Sequence, residues 1–348
     1  MLDNGNAPKI LLNDDALQES FVPSELTARQ EIESRILACL PPAAKDHRPT
    51  HLWLHGQPGS GKTCAARAAL GRLARDAGIR SVSVNCWERD SLYEILDQMV
   101  EDLKIFRAEE HRSSVKLQRL RKCLAGTCLI VLLDEIDKIA PSERSRAIYS
   151  LTEFGNVGII CVSNSLTPLY EIEDRARSRL NPRTIAFEPY TCGQILEILT
   201  RRAELALSSG TCPAYLLKRM ATVCSGDARV AIQTLRNAAV SAERQRHEAI
   251  TSSDVAAGWH DCQKAGGSQL LANLTEDHRM LHQIVTKQKG VLSTELRELY
   301  LQQCSGINRK PIAPRTFSGY IVQLVRLKLL ACERARVKGN VYLLRPAR

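Results

Sequence analysis

The chain has 348 residues, a quarter of them charged, and a net charge of +10 at neutral pH. That length leaves room for two or three domains with cores of their own, and the longest aliphatic run, Cys128 to Leu133, is far too short to cross a bilayer. The charge is uneven: Arg309 to Arg348 holds ten basic residues against the single acid Glu333, a net +9, as expected of a segment that meets a polyanion.

Strand patterns lie at 51–55, 80–85, 128–133, 157–162 and 184–187, with helical patterns between them at 62–77, 91–104, 113–124 and 142–153. Short, nearly all-apolar strands alternating with helices predict a parallel sheet covered on both faces, with ligands beyond the carboxyl ends of its strands. An arm, 1–19, polar from Met1 to Lys9, precedes this α/β domain of 20–190 and is expected to be disordered or poorly ordered. After Pro189 the pattern is helical only, at 191–208, 213–224, 227–246 and 251–258, giving a separate helical domain over 191–262. The Gly-Gly pair in 263–273 reads as a linker. Beyond it, 274–348 carries helices at 276–287, 293–303 and 314–328, then strand-like pieces at 329–333 and 341–344 around the basic turn Arg334 to Asn340. Three helices closed by a β-ribbon predict a winged helix-turn-helix.

Twelve cysteines include no C-x-x-C pair, and no His/Cys cluster has zinc spacing. Cys39, Cys128 and Cys161 sit in apolar runs, where a thiol packs as a small hydrophobe. Reduced cysteines, and a start without the apolar segment of a secretion signal, lead us to expect an intracellular protein.

Gly56-Gln-Pro-Gly59-Ser60-Gly61-Lys62-Thr63 fits G-x-x-x-x-G-K-[ST] and follows a predicted strand. Its glycines let backbone N–H groups turn around a triphosphate at a helix N-terminus. Lys62 then reaches the β and γ phosphates, and the Thr63 hydroxyl ligates magnesium. The strand Leu129 to Leu133 ends in Asp134-Glu135, where Asp134 is placed to hold magnesium through water and Glu135 to polarise an attacking water. The next strand ends in Ser163-Asn164-Ser165; Asn164 either orients that water or caps a helix. Arg175 and Arg179 share one face of a short helix, either solvated or offered to a neighbouring subunit's nucleotide. Arg229 stands in the first turn of a helix capped by Asp227, against the helix dipole, and so calls for a carboxylate partner or a bound anion.

These pieces stand in the order of Walker A, Walker B, sensor 1, arginine finger and sensor 2. In that order the chain resembles an AAA+ ATPase, and more narrowly the replication-initiator branch, the archaeal and eukaryotic origin-recognition and Cdc-type proteins. The narrower resemblance rests on Phe21-Val22-Pro23 with Arg29-Gln30-Glu31, on Val84-Asn85-Cys86, on Phe187-Glu-Pro189-Tyr190, on Ser225-Gly226-Asp227-Ala228-Arg229, and on Pro314-Arg315-Thr316-Phe317-Ser318-Gly319-Tyr320. It implies that Val22 and Pro23 border the adenine, with Tyr190 and Arg202 as lid-side nucleotide contacts and Cys64 completing the phosphate loop. It further implies that Arg229 touches the γ-phosphate, that Arg179 is the first candidate for the finger and Arg175 the second, and that helices after Cys86 form an initiator-specific insertion. Arg107 to Ser114 departs from the proline/glycine-rich linker of that insertion. The chain's length matches the short archaeal-type form.

In 314–328, Phe317, Tyr320, Ile321 and Leu324 recur at helical spacing and are expected in the core, turning Arg315, Ser318, Val322 and Arg326 outward. Arg315 and Ser318 lie at the end that enters a major groove; Arg334, Arg336 and Lys338 form the wing. The expected protein binds ATP or ADP with magnesium and hydrolyses ATP slowly as a switch. It binds duplex DNA at replication origins, helps load the replicative helicase and assembles with itself or a paralogue. It needs no membrane and lies in the cytoplasm with the nucleoid, or in the nucleus of a eukaryote. Two other classes use the same residues: a clamp or helicase loader acting on protein, and an ATP-switched transcription regulator or partition factor.

Overall fold

The computed structural model describes residues 9–23, 25–40, 49–105, 113–272, 274–306, 309–327, 329–334 and 341–346, without the side chains of 265–272. Two compact units divide after Gly258.

The first unit is built on five strands, β1 (Leu52–Gly56), β2 (Arg80–Asn85), β3 (Leu129–Asp134), β4 (Val157–Ser163) and β5 (Arg183–Phe187). They form one sheet in the order β2-β3-β4-β1-β5, with every pairing parallel. β3 and β4 are buried along their whole length. Alternate residues feed two cores: Leu129, Val131 and Leu133 enter one, Ile130 and Leu132 the other. This is why the strands read as unbroken apolar runs. Around the sheet run α1 (Gln30–Cys39), α2 (Lys62–Ala77), α3 (Leu92–Asp102), α4 (Ser113–Cys123), α5 (Pro141–Thr152), α6 (Thr167–Tyr170) and α7 (Asp174–Leu180). The helices α8 (Cys192–Ala206), α9 (Ala214–Val223), α10 (Ala228–Arg244) and the start of α11 (Ser252–Ala272) make the helical lid. A capping box at Thr191 and Gln194 opens α8, and Asp227 caps α10.

Two expectations need correction. Residues 9–19 of the expected disordered arm are packed against the lid; 1–8 lie outside the described residues. Ile10, Ala16 and Leu17 are buried, Leu12 N–H donates to Ala206 O at 2.8 Å, and Arg236 grips the Asp14 carboxylate with two nitrogens at 2.6 and 2.8 Å. Second, α11 runs through Gly266-Gly267, where a linker was expected. Each glycine costs a helix interior about 1 kcal/mol, but Lys264, Ala265, Gln269, Leu270, Leu271 and Ala272 beside them are strong helix formers.

The second unit holds α12 (Glu276–Gln288), α13 (Ser293–Gly306) and α14 (Pro314–Arg326), with the strands β6 (Val291–Leu292), β7 (Leu330–Arg334) and β8 (Tyr342–Pro346) paired antiparallel in the order β6-β8-β7. This is the winged helix-turn-helix expected. Leu281, Val285, Leu296, Tyr300, Phe317, Leu324 and Leu344 are in its core. Tyr300 Oη donates to buried Asp277 at 2.7 Å, and Arg309 supplies the counter-charge at 2.9 Å.

Candidate active site

The carboxyl ends of β1, β3 and β4 gather the predicted motif residues. β4 is hydrogen-bonded beside β1, with Ser163 opposite His55, so Asn164 emerges next to the loop that follows β1. Lys62, the first residue of α2, is buried and donates to Gly56 O at 2.7 Å, Gln57 O at 2.8 Å and Asn164 Oδ1 at 3.3 Å. Burial, then the nearby Arg229 charge, pulls its pKa down, opposed by Asp134, Asp137 and Glu135. A desolvated ammonium ringed by carbonyl oxygens is suited to exchange them for phosphate oxygens.

Thr63 Oγ1 donates to Asp134 Oδ1 at 3.0 Å, and Arg67 Nη2 stands 3.8 Å from the same carboxylate. Burial pushes Asp134 up, against the pull of Thr63 and Arg67. Glu135 follows in the left-handed region, φ 54°, an uncommon and strained place for a side chain of this size. Burial and the neighbouring Asp134 raise its pKa too, which makes it a stronger base. Asn164 Nδ2 lies 3.4 Å from Asp137 Oδ2.

The phosphate loop is held from the lid side. Gly59 (φ 74°) and Gly61 (φ 88°) occupy backbone conformations that favour glycine. A Cβ on Gly59 would meet Asp227 Oδ1 at 1.9 Å, and one on Gly61 would meet Tyr190 Oη at 2.1 Å. Ala228 N–H donates to Gly59 O at 3.2 Å. Ser60 is buried, and Cys64 is half-buried with its thiol pushed up by burial. Arg29 was not among the expected site residues, yet it is the hub here. It is buried, donates to Ser60 O at 3.2 Å and to Glu188 O, and lies 4.0 Å over the Tyr190 ring. Its signal was the Arg-Gln-Glu that follows Val22-Pro23.

Val22 and Pro23 are half-buried. Arg202 spends its guanidinium on backbone: it donates to Ala16 O at 2.7 Å and Phe21 O at 3.2 Å, and stacks on the Phe21 ring at 4.5 Å. It therefore holds the segment leading into Val22 and Pro23. Arg229 has the carboxylate partner its position called for, Glu19 at 2.6 Å. Arg175 and Arg179 are exposed and share the Tyr149 ring, at 5.0 and 4.3 Å, away from the cluster around Lys62; Arg179 also lies 3.8 Å from Glu153.

In the winged unit Phe317 and Leu324 are buried, and Tyr320 and Ile321 pack beside them. Arg315, Ser318, Val322 and Arg326 are exposed, as expected. Arg334 is exposed at the end of β7, while Arg336 and Lys338 lie outside the described residues. Among the described residues no His/Cys/Asp/Glu cluster could hold a metal, and no helix is long and apolar enough to cross a membrane.

Two family profiles match, one described as an AAA domain over residues 45–169 and one as a Cdc6 AAA+ ATPase-type lid domain over 196–259. ORC1-type DNA replication protein 9 of Halobacterium salinarum is 26% identical over 334 residues, covering 94% of this chain and 92% of its own length. Along nearly its whole length the chain is similar to ORC1-type replication proteins of the AAA+ class. Among solved structures, the Aeropyrum pernix ORC1 protein in complex with DNA superposes with a TM-score of 0.79 at 26% identity, over 97% of this chain and 94% of that one. The Aeropyrum pernix ORC2 protein in ADPNP-ADP complexes shares the fold, with a TM-score of 0.68 at 19% identity over 97% of this chain and 94% of that one. The likeness to the ORC1 protein takes in the five-stranded core, the lid and the winged unit.

Proposed function

We propose that this protein is a replication initiator, an ATP-dependent switch that binds origin DNA and helps load the replicative helicase. The observation that carries the nucleotide half is the meeting of Lys62, Thr63, Asp134 and Asn164 within hydrogen-bonding reach at one end of the sheet. The residues fit the ligands: a hydroxyl and a carboxylate share one point, as a magnesium ion requires, and a buried ammonium stands where phosphates would lie. Magnesium, when bound, neutralises phosphate charge in the reaction. Thr63 and, through water, Asp134 would hold it. Lys62 and the N–H groups of the loop bind the phosphates, Glu135 takes the proton of the attacking water, and Asn164 orients that water. Val22, Pro23 and Tyr190 border the base, and Arg202 acts through the backbone it holds. Arg229 exchanges Glu19 for the γ-phosphate, coupling the lid to the nucleotide, and Arg179, with Arg175 second, serves a neighbouring subunit's site. The core (20–190), the lid and the winged helix (274–348) divide these tasks.

The exposed face of α14 and the net +9 of the last forty residues support duplex DNA as the partner, with Arg315, Ser318 and Arg326 toward the major groove and Arg334, Arg336 and Lys338 as the wing. Chromatin-binding maps of the protein and of Lys62→Ala in the source cell test this reading. Peaks at replication start sites, altered by Lys62→Ala, are expected. Peaks confined to promoters would favour a transcription regulator, and capture of a clamp without DNA would favour a loader.

A further inference from the structure

Arg144, on α5, is 2% exposed, and no role in nucleotide or DNA binding accounts for it. All three nitrogens of its guanidinium are bonded. Nε donates to Ile136 O at 3.1 Å, and Nη2 to Ile139 O at 2.7 Å and Asp137 O at 3.5 Å. Nη1 donates to Pro168 O and to the Glu171 carboxylate, each at 2.9 Å. The first three acceptors belong to the turn that follows Asp134-Glu135. The last two belong to α6 and the residue after it, on the approach to α7. The adjacent Ser145, also buried, completes the link: Glu173 N–H, at the N-cap of α7, donates to Ser145 Oγ at 3.0 Å.

Two neighbouring side chains of α5 therefore tie the turn that follows Glu135, the proposed base, to the start of the helix carrying Arg175 and Arg179. A guanidinium is suited to this because its donors form a rigid fork that an ammonium cannot copy. Four of its five acceptors are backbone carbonyls, so the contact fixes the course of the chain more than it pairs charges. The left-handed backbone of Glu135 needs such support, because a strained residue keeps its place only when its surroundings over-determine it.

We propose that Arg144, with Ser145, is a positioning residue for ATP turnover, making the Glu135 turn and the arginine-bearing α7 one rigid piece. The proposal rests on the reading of Glu135 and of Arg175 and Arg179 given above. It has consequences that neither those residues nor simple core packing would produce. Loosening the tie should leave ATP bound, because the Arg144 hydrogen bonds go to the turn after Glu135 and to the approach to α7 rather than to the phosphate loop, and should slow the chemical step.

The test uses the full chain with Arg144→Lys and Ser145→Ala. ATP affinity is measured with a fluorescent analogue, hydrolysis in single turnover, and folding by thermal unfolding. Arg144→Lys is expected to lower turnover by about 10–100-fold with ATP affinity within about 3-fold of the parent. Ser145→Ala should show the same split to a smaller extent. If Arg144→Lys does not fold, Ser145→Ala decides. A folded variant that turns over at the parental rate, or one whose affinity falls in step with its turnover, overturns the proposal. A parent chain that neither binds nor hydrolyses ATP would instead remove the reading of the site on which the proposal rests.

Discussion

Replacing Arg202 with methionine separates two roles that the sequence alone allows this residue. If its guanidinium met the nucleotide directly, Arg202→Met would weaken ATP binding and leave the fold as stable as before. The geometry favours the other role, because the side chain is 8% exposed and its donors go to Ala16 O and Phe21 O. Each such charge-assisted bond contributes about 1.5–3 kcal/mol. Methionine also relieves the cost of burying a guanidinium, which lowers the Arg202 pKa here, and that offsets part of the loss. A net destabilisation of about 3 kcal/mol should remain, corresponding to a fall of about 6–12 °C in the unfolding temperature of the first unit. ATP affinity should fall less, by about 3–10-fold, through loosening of the chain that enters Val22 and Pro23. Thermal unfolding and a nucleotide titration on the same sample read both effects. An unchanged unfolding temperature with ATP affinity lost by tenfold or more would refute the reasoning.

Three further outcomes are expected. Glu135→Gln should bind ATP within about 3-fold of the parent and lose about 100-fold or more in turnover, read by single-turnover hydrolysis. Arg315→Ala should weaken duplex binding and reduce the slope of log affinity against log salt by about 1 if it meets a phosphate, read by anisotropy across a salt series. His278 is buried against Tyr320 and hydrogen-bonded to Gln323, and burial lowers its pKa below the ordinary 6.5. The unfolded chain therefore takes up the proton first, so stability is full above about pH 6.5 and falls as pH drops through and below that value. Unfolding of His278→Gln across pH 7.5 to 5.5 should show a flatter dependence, with His282, also lowered by burial, keeping part of the slope.

All five strands of the sheet were legible within one residue at each end, the central β3 and β4 because strands buried on both faces leave little choice of side chain. The motif residues were legible for a related reason: a carboxylate or amide that must face a ligand from a buried strand can only stand at its end. What the sequence hid depends on distant partners. The segment 9–19 is too short to show a helical or strand period, and its order comes from burying Ile10, Ala16 and Leu17 against the lid and from Asp14 meeting Arg236 and Glu19 meeting Arg229, pairs more than two hundred positions apart. Arg144 looks like any surface arginine of an amphipathic helix until the turn after Glu135 and the residues before α7 close over it. Arg202 reads from the sequence as a nucleotide contact, whereas its acceptors in the fold are the carbonyls of Ala16 and Phe21, which a sequence pattern does not display.

The contacts on the phosphate loop have a kinetic side. Gly59, Ser60 and Gly61 are each touched from outside the loop, by Ala228 and Asp227, by Arg29 and by Tyr190. We expect a nucleotide seated in that loop to exchange only as these neighbours shift, so that its release rate carries the steep temperature dependence of a packed interface rather than the shallow one of diffusion.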